Sequence, residues 1–230
     1  MIFSGIVKSS LIDYPGKIST VLFVPGCNYN CFYCHNRSLI EDLNVILDID
    51  ELNEFLVKRQ GMIDAIVVSG GEPTLHDDLI EFFKSMKMLG YLTKIDTNGS
   101  NPHLVKALLK SNLLDYVAID YKSPSNRYQE ICGEHASSEI VLETIQVLLD
   151  AKIDFEVRTT VIPQLSLDDL ITMAKELPNV PRYVLNPYRK PLRYLEKHTP
   201  LINEPPYSEK QIAEFAEFLK LYQSNVVLMF

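Results

Sequence analysis

Short apolar runs recur along the chain, each followed by a polar or glycine-containing loop and then by an amphipathic stretch. Six of these runs are predicted as strands: Ile18–Val24, Ala65–Ser69, Leu92–Thr97, Tyr116–Asp120, Asp154–Val161 and Arg182–Asn186. They are short and largely apolar, as strands buried on both faces of a parallel sheet must be. Helices are predicted between them. Asp48 or Asp50 caps the first, which runs to about Gln60, where Gly61 stops it. Asp77 or Asp78 caps the next, ending near Gly90, and a third begins after Pro102. A fourth runs from about Ser137 to Ala151 with Val141, Ile145 and Leu148 on one face, and a fifth covers Leu167–Leu177. The last, Ser208–Tyr222, places Ile212, Phe215, Ala216, Leu219 and Tyr222 on one stripe. The tail Val226–Phe230 is expected to add a strand or to pack as a cap.

Alternating strands and helices imply a parallel sheet with right-handed crossovers. Eight such units close a full barrel of typically ~250 residues. Six units in 230 residues predict an α/β fold, either a partial (βα)6 barrel of parallel strands, open on one side, or a doubly wound sheet. In both, chemistry gathers at the C-terminal ends of the strands. A single domain is expected over 1–230, with its core at about 16–190 and a C-terminal extension, 191–230, carrying one helix.

Composition narrows the function. With 22 Lys and Arg against 30 Asp and Glu, the net charge is −8, which argues against nucleic acid as a partner, since duplex binding calls for a basic stripe. No apolar run approaches the ~18 residues that span a bilayer. The first segment is interrupted by Ser4, Lys8 and Asp13 and does not read as a signal peptide. A cytoplasmic protein that binds neither membrane nor nucleic acid is expected. In such a reducing compartment, clustered cysteines point to metal or redox chemistry rather than disulfides.

The strand ends carry that chemistry. Strand one leads into Pro25-Gly26-Cys27-Asn28-Tyr29-Asn30-Cys31-Phe32-Tyr33-Cys34-His35-Asn36, and strand two into Gly70-Gly71-Glu72-Pro73. Strand three ends in Asp96-Thr97-Asn98-Gly99 and strand four in Asp120-Tyr121-Lys122. Strand five carries Arg158, and strand six leads to Pro187-Tyr188-Arg189. All these groups are expected to face one crevice.

Cys27, Cys31 and Cys34 form C-x3-C-x2-C in one loop. Three thiolates from one loop can hold three corners of a cubane iron–sulfur cluster, whose usual ligand set is four cysteines. The remaining cysteine, Cys132, is far away in sequence and reads as a free thiol. A zinc site with His35 as fourth ligand is the competing reading, in which the chain would be a non-catalytic interaction module. Zinc motifs usually come as two spaced ligand pairs, and adjacent Cys34 and His35 are poorly disposed toward one tetrahedral ion.

The C-x3-C-x2-C loop, with Tyr33 before its last cysteine, resembles the signature of the radical S-adenosylmethionine (SAM) enzymes. Gly70-Gly71-Glu72-Pro73 matches that superfamily's second motif. Ser10-Leu11-Ile12-Asp13-Tyr14-Pro15-Gly16, Cys34-His35-Asn36, Asp96-Thr97-Asn98-Gly99 and Asp120-Tyr121-Lys122 further resemble the glycyl-radical-enzyme activases. Among these, the chain is most similar to the activating proteins of anaerobic ribonucleoside-triphosphate reductase, from about Ile6 to Arg189. The short 7-carboxy-7-deazaguanine synthase type is the alternative within the superfamily, and the Asp13-Tyr14-Pro15-Gly16 and Cys34-His35-Asn36 segments count against it.

The resemblance implies an oxidoreductase with a 4Fe-4S cluster on Cys27, Cys31 and Cys34. Flavodoxin or ferredoxin would reduce it, S-adenosylmethionine would be cleaved to a 5′-deoxyadenosyl radical, and that radical would take a hydrogen atom from a glycine of a partner enzyme. It also implies that Tyr33 and His35 lie beside the adenine. Tyr33 is equally readable as a core aromatic. Gly70 and Gly71 permit close approach of backbone to ligand, and Glu72 belongs to the same cofactor-binding turn. Asp96 and Asp120 suit ribose hydroxyls or a monovalent cation, with helix capping as the competing role. Lys122 is expected on a carboxylate or ribose oxygen. Arg158, charged within an apolar strand, is expected to face ligand or to pair with a carboxylate. Arg189 stands where some activases carry His and can donate to ribose or adenine. The resemblance places Asp13 near the peptide that carries the target glycine.

Overall fold

The computed structural model describes residues 1–41 and 46–229. It is an α/β fold with a mostly parallel sheet whose strands run in the order β1-β2-β3-β4-β5-β6-β7-β8. Two compact units divide the chain. One comprises Met1–Cys27, Ser38–Thr97 and Asn101–Ala118; the other comprises Asn28–Arg37, Asn98–Ser100 and the chain from Ile119 onward.

The first unit begins with β1 (Gly5–Ser10), antiparallel to β2 (Ser19–Val24). Parallel pairing then joins β2 to β3 (Ala65–Gly70) and β3 to β4 (Leu92–Thr97). The short helix α1 (Arg37–Glu41) and helices α2 (Ile49–Lys58), α3 (Leu79–Met88) and α4 (Pro102–Lys110) connect these strands and lead to β5 (Tyr116–Asp120). Of the two expected caps of α2, Asp48 is the one used, accepting bonds from the Asp50 and Glu51 amides. Asp78 takes the N-cap position of α3 but makes no capping bond there. Asn101 caps α4, and Pro102 opens its first turn.

The second unit carries α5 (Tyr128–Cys132), α6 (Ser138–Ala151), β6 (Asp154–Val161), α7 (Leu167–Glu176) and β7 (Tyr183–Pro187). It closes with α8 (Thr199–Ile202), α9 (Glu209–Leu219) and β8 (Val226–Leu228). β6 pairs with β7 and β7 with β8, both parallel. Reciprocal capping boxes start α7 (Ser166 with Asp169) and α9 (Ser208 with Gln211). Buried Gln223 donates to the carbonyls of Ala174, Leu177 and Pro178, each at 3.1 Å, and so closes the otherwise orphaned C-terminal end of α7.

The six expected strands correspond to β2 through β7. Strand β1, which pattern reading missed, is an edge strand with exposed and half-buried positions and no clean alternation. The C-terminal extension holds the expected helix as α9, and in addition α8 and β8. In the tail, Val226–Leu228 forms the strand β8, while Phe230 lies outside the described residues. No helix among the described residues is long and apolar enough to cross a membrane.

One approach of backbone to backbone fixes where the site's loops begin. Gly70 has φ +118°, and a Cβ there would lie 2.5 Å from the Val24 amide nitrogen and carbonyl oxygen. A Cβ on Gly71 would lie 1.7 Å from the Gly26 carbonyl oxygen. The closeness is used: Gly71 N donates to Val24 O at 2.9 Å and Glu72 N to Gly26 O at 2.8 Å. Gly71→Ala is therefore expected to destabilise the fold by about 3 kcal/mol or more, because backbone, not a flexible side chain, must move. Chemical denaturation of the variant and the parent measures this, and equal midpoints would contradict it.

Candidate active site

In the first unit, the turn after β3 abuts the segment that leads into Cys27. Glu72 has 0% of its surface exposed. Its Oε1 accepts from Thr74 N (3.0 Å), Thr74 Oγ1 (2.6 Å) and Thr97 Oγ1 (2.6 Å). A buried carboxylate with three donors is well compensated. Glu72 thus caps the 3-10 turn Pro73–Leu75 and ties the Gly70-Gly71 turn to the end of β4. His76 Nε2 lies 3.0 Å from Pro25 O, and Gly26 N donates to Leu39 O at 2.9 Å, so the approach to Cys27 is held from two directions.

Asp96 and Asp13 also lie in this unit. Asp96 is mostly buried and pairs with Lys94 Nζ at 2.7 Å. Lys94 donates as well to the backbone carbonyl of Asp13, at 2.6 Å. The Asp13 carboxylate receives the Ser10 hydroxyl at 2.5 Å. Helix capping does not explain Asp96, since Asn101 caps the following helix.

The second unit holds the rest of the cysteine loop. Asn30 N donates to Cys132 O at 2.8 Å, and Arg37 Nη1 to Asn30 Oδ1 at 2.7 Å. A Cβ on Gly133 would lie 3.2 Å from Asn30 Cβ. The end of α5 is therefore seated on the loop. Asn28 Nδ2 donates to Ser100 Oγ at 2.8 Å, Asn28 Oδ1 accepts from Asn98 Nδ2 at 2.9 Å, and Thr144 Oγ1 donates to Gly99 O at 2.6 Å. These bonds brace the loop against the Asn98-Gly99-Ser100 turn and, through it, α6.

The electrostatics of this loop are uneven. A hydrogen bond from the Cys132 thiol, opposed by burial and helped by the Lys122 ammonium, brings Cys31 down to about 7. Burial and then the Cys31 charge push Cys34 up. Cys132 is fully buried, and burial together with its bond to Cys31 holds it well above the ordinary thiol value. Lys122 is lowered by burial but raised further by Asp120, Tyr33 and Cys31, so it stays charged. It pairs with Asp120 Oδ2 at 2.8 Å, while Arg158 Nε lies 3.4 Å from Asp120 Oδ1. Of the two expectations for Arg158, a ligand or a carboxylate, the structure describes a carboxylate within reach.

Tyr33 is 5% exposed and meets Phe32 edge-to-face, with ring centroids 5.3 Å apart. Burial raises its pKa well above the phenol value. Burial and then the charge of the exposed Arg189 lower the His35 pKa. Among the described residues no group of three His, Cys, Asp or Glu side chains is gathered closely enough to hold a metal ion. The chemistry of the donor set nevertheless fits an iron–sulfur cluster. It offers three sulfurs on one braced loop, one of them poised to be a thiolate.

Sequence reasoning missed Lys94, the Asn28–Asn98–Ser100 bracing and the tie of Cys132 to the loop. Lys94 alone had a local signal, as a lysine between apolar positions of a strand expected to be buried on both faces.

The Radical SAM superfamily model matches residues 21–177. A Methanocaldococcus jannaschii protein named as a glycyl-radical enzyme activating enzyme is 36% identical over 98% of this chain and 94% of its own length. The pyruvate formate-lyase-activating enzyme of Staphylococcus aureus is 27% identical, covering 78% of this chain and 77% of that protein. In fold, the chain is similar to SuiB of Streptococcus suis bound to S-adenosylmethionine, with TM-score 0.67 at 16% identity over 91% of this chain and 52% of that one. The chain therefore belongs to the radical SAM superfamily and, within it, to the family of the glycyl-radical-enzyme activating enzymes.

A pH titration tests the cysteine geometry. In cluster-free protein kept reduced, the first thiolate is expected to form near pH 7. Because Cys132 donates to the charged form of Cys31, Cys132→Ala should move that step upward, toward the ordinary thiol range, whereas Cys132→Ser should keep it low. Ultraviolet thiolate absorbance reads both, and an unchanged step in Cys132→Ala would contradict the bond.

Proposed function

We propose that the chain generates a glycyl radical on a partner enzyme by reductive cleavage of S-adenosylmethionine, the partner being an anaerobic ribonucleoside-triphosphate reductase. The observation that carries the reading is the backbone junction of Gly70-Gly71-Glu72 with Val24–Gly26, which leads directly into Cys27. It couples the turn suited to the cofactor's amino acid moiety to the loop suited to the cluster.

In this reading Cys27, Cys31 and Cys34 hold a 4Fe-4S cluster. When bound, the cluster supplies the single electron that cleaves the sulfonium, with flavodoxin or ferredoxin as its source. The backbone of Gly70 and Gly71 binds the methionine end of S-adenosylmethionine, and buried Glu72 keeps that turn in place. Asp96 and Asp120 orient ribose hydroxyls, and a monovalent cation beside them is a further component of the reading. Lys122 and Arg158 fix the direction of the Asp120 carboxylate. Tyr33, His35 and Arg189 border the adenine. Asp13 faces the glycine-bearing peptide of the partner. The −8 charge agrees with a protein rather than a nucleic acid as substrate.

Anaerobic reconstitution with iron and sulfide, reduction with dithionite and addition of S-adenosylmethionine test the reaction. The expected result is a reduced-cluster EPR signal that changes on adding the cofactor, with 5′-deoxyadenosine formed. Cys27→Ala, Cys31→Ala and Cys34→Ala should each lose 5′-deoxyadenosine formation. A Cys27→Ala protein working at the parent rate, or zinc in place of iron without cleavage, would overturn the assignment. A glycyl-radical EPR signal on added anaerobic reductase tests the partner.

A further inference from the structure

Lys94 is 1% exposed, and among the described residues no other lysine is buried to this degree. Its place follows from register. Val21 of β2 pairs with Val67 of β3, and Val67 pairs with Lys94 of β4, so the lysine stem continues an apolar row. Val21 and Val67 belong to a core cluster with Tyr14, Ala65 and Tyr116, and the Lys94 ammonium lies 5.9 Å from the centre of the Tyr116 ring. An ammonium in such surroundings loses most of its hydration, and its partners must replace that water. It has two oxygens within reach, Asp96 Oδ1 at 2.7 Å and the Asp13 carbonyl at 2.6 Å. Alternation along the strand puts Lys94 and Asp96 on the same face, which is why a short lysine-to-carboxylate bond forms two residues apart.

The other end of this connection is the Ser10–Gly16 segment. Its Asp13 side chain is fixed by Ser10 Oγ, which also accepts from the amides of Ile12 and Asp13 at 3.3 Å each. Tyr14, next along, sits with its ring 5.6 Å from that of Tyr116. Leu11 and Ile12 face outward, 77% and 75% exposed. Between the apolar tip and the core, Lys94 bonds both to the backbone of Asp13 and to the carboxylate of Asp96.

We propose that Lys94 is a positioning residue: one buried ammonium sets the Ser10–Gly16 loop and the Asp96 carboxylate together, so that a change at either is felt at the other. The link between cofactor and partner rests on the function proposed above, where Asp96 meets S-adenosylmethionine and Asp13 meets the partner. The pinning of the loop by Lys94 does not rest on it. Lys94 would then act through Asp96 and Asp13 and touch neither substrate.

Hydrogen exchange read by mass spectrometry separates these claims. Reconstituted protein is compared with and without S-adenosylmethionine, as parent, Lys94→Met and Lys94→Arg. Met keeps the length and apolar stem of the side chain and removes only the charge and its donors. Without cofactor, the peptide covering residues 10–16 should exchange at least about tenfold faster in Lys94→Met than in the parent, corresponding to a loss of roughly 1.4 kcal/mol of local protection. Lys94→Arg, which keeps donors and charge, should recover most of it. Unchanged exchange in Lys94→Met would overturn the pin.

With cofactor, exchange in the same peptide should slow in the parent and not in Lys94→Met. Equal cofactor effects in the two proteins would overturn the coupling. Binding of S-adenosylmethionine is measured on the same samples by equilibrium dialysis. A parent that binds none would refute the proposed function, and with it the coupling, but would leave the cofactor-free comparison to decide the pin. If Lys94→Met is too unstable to compare, Asp96→Asn serves. It weakens the bond to Lys94, so cofactor-free exchange of residues 10–16 should rise above that of the parent, and the effect of cofactor on those residues should be abolished. Retention of the cofactor effect in Asp96→Asn would overturn the coupling through this pair.

Discussion

The structure of the first unit depends on a place where a side chain cannot exist. The Gly70–Gly71 turn runs so close to Val24–Gly26 that a single methyl group on Gly71 would occupy the position of the Gly26 carbonyl oxygen. Two backbone hydrogen bonds hold the turn there. From this junction the chain departs in two directions, into the cysteine loop and into the Glu72 turn. Glu72 then carries the constraint to β4 through Thr97. Removing Cβ atoms costs backbone entropy in the unfolded chain. Here that cost secures an alignment that no pair of side chains could make as short or as stiff.

Charges at the strand ends follow a second rule. Asp96 is paired with Lys94, and Asp120 with Lys122 and Arg158. Each partner comes from the same strand or the same unit as the carboxylate it meets. Such pairs are not primarily a source of stability, because desolvation offsets much of the attraction. Their effect is on direction: Lys94 holds Asp96 by Oδ1, and Lys122 and Arg158 hold Asp120 by its two oxygens, so each carboxylate is fixed in orientation. The same logic reaches Cys31, where a thiol donor and a nearby ammonium act on one sulfur.

The β2–β7 strands and their helices were legible because each is a local pattern: a few consecutive apolar residues, then a cap, then a 3.6-residue stripe. β1 was not, because an edge strand with one solvated side leaves a weak trace in G-I-V-K-S-S. α5 and α8 are too short for periodicity to register. At the site, the cysteines and the Gly-Gly-Glu-Pro turn were legible as contiguous motifs. Asn28 meeting Asn98 and Ser100, and Cys31 meeting Cys132, were not, since these residues become neighbours only after the intervening strands are in place. Arg158 occupied a middle ground. Its place in an apolar strand called for a ligand or a carboxylate partner, but the sequence alone did not identify Asp120 as the residue it meets.

The seating of α5 on the cysteine loop has a consequence for how the protein is made. Asn30 and Cys31 find their partners at Cys132, a stretch of chain that takes the ribosome about 5–20 s to add at ordinary rates of synthesis. The loop therefore emerges from the ribosome well before the segment that braces it. Cys31 thus stays unburied in the nascent chain until Cys132 arrives, whereas in the finished fold both are buried and Cys27 and Cys34 keep partial exposure.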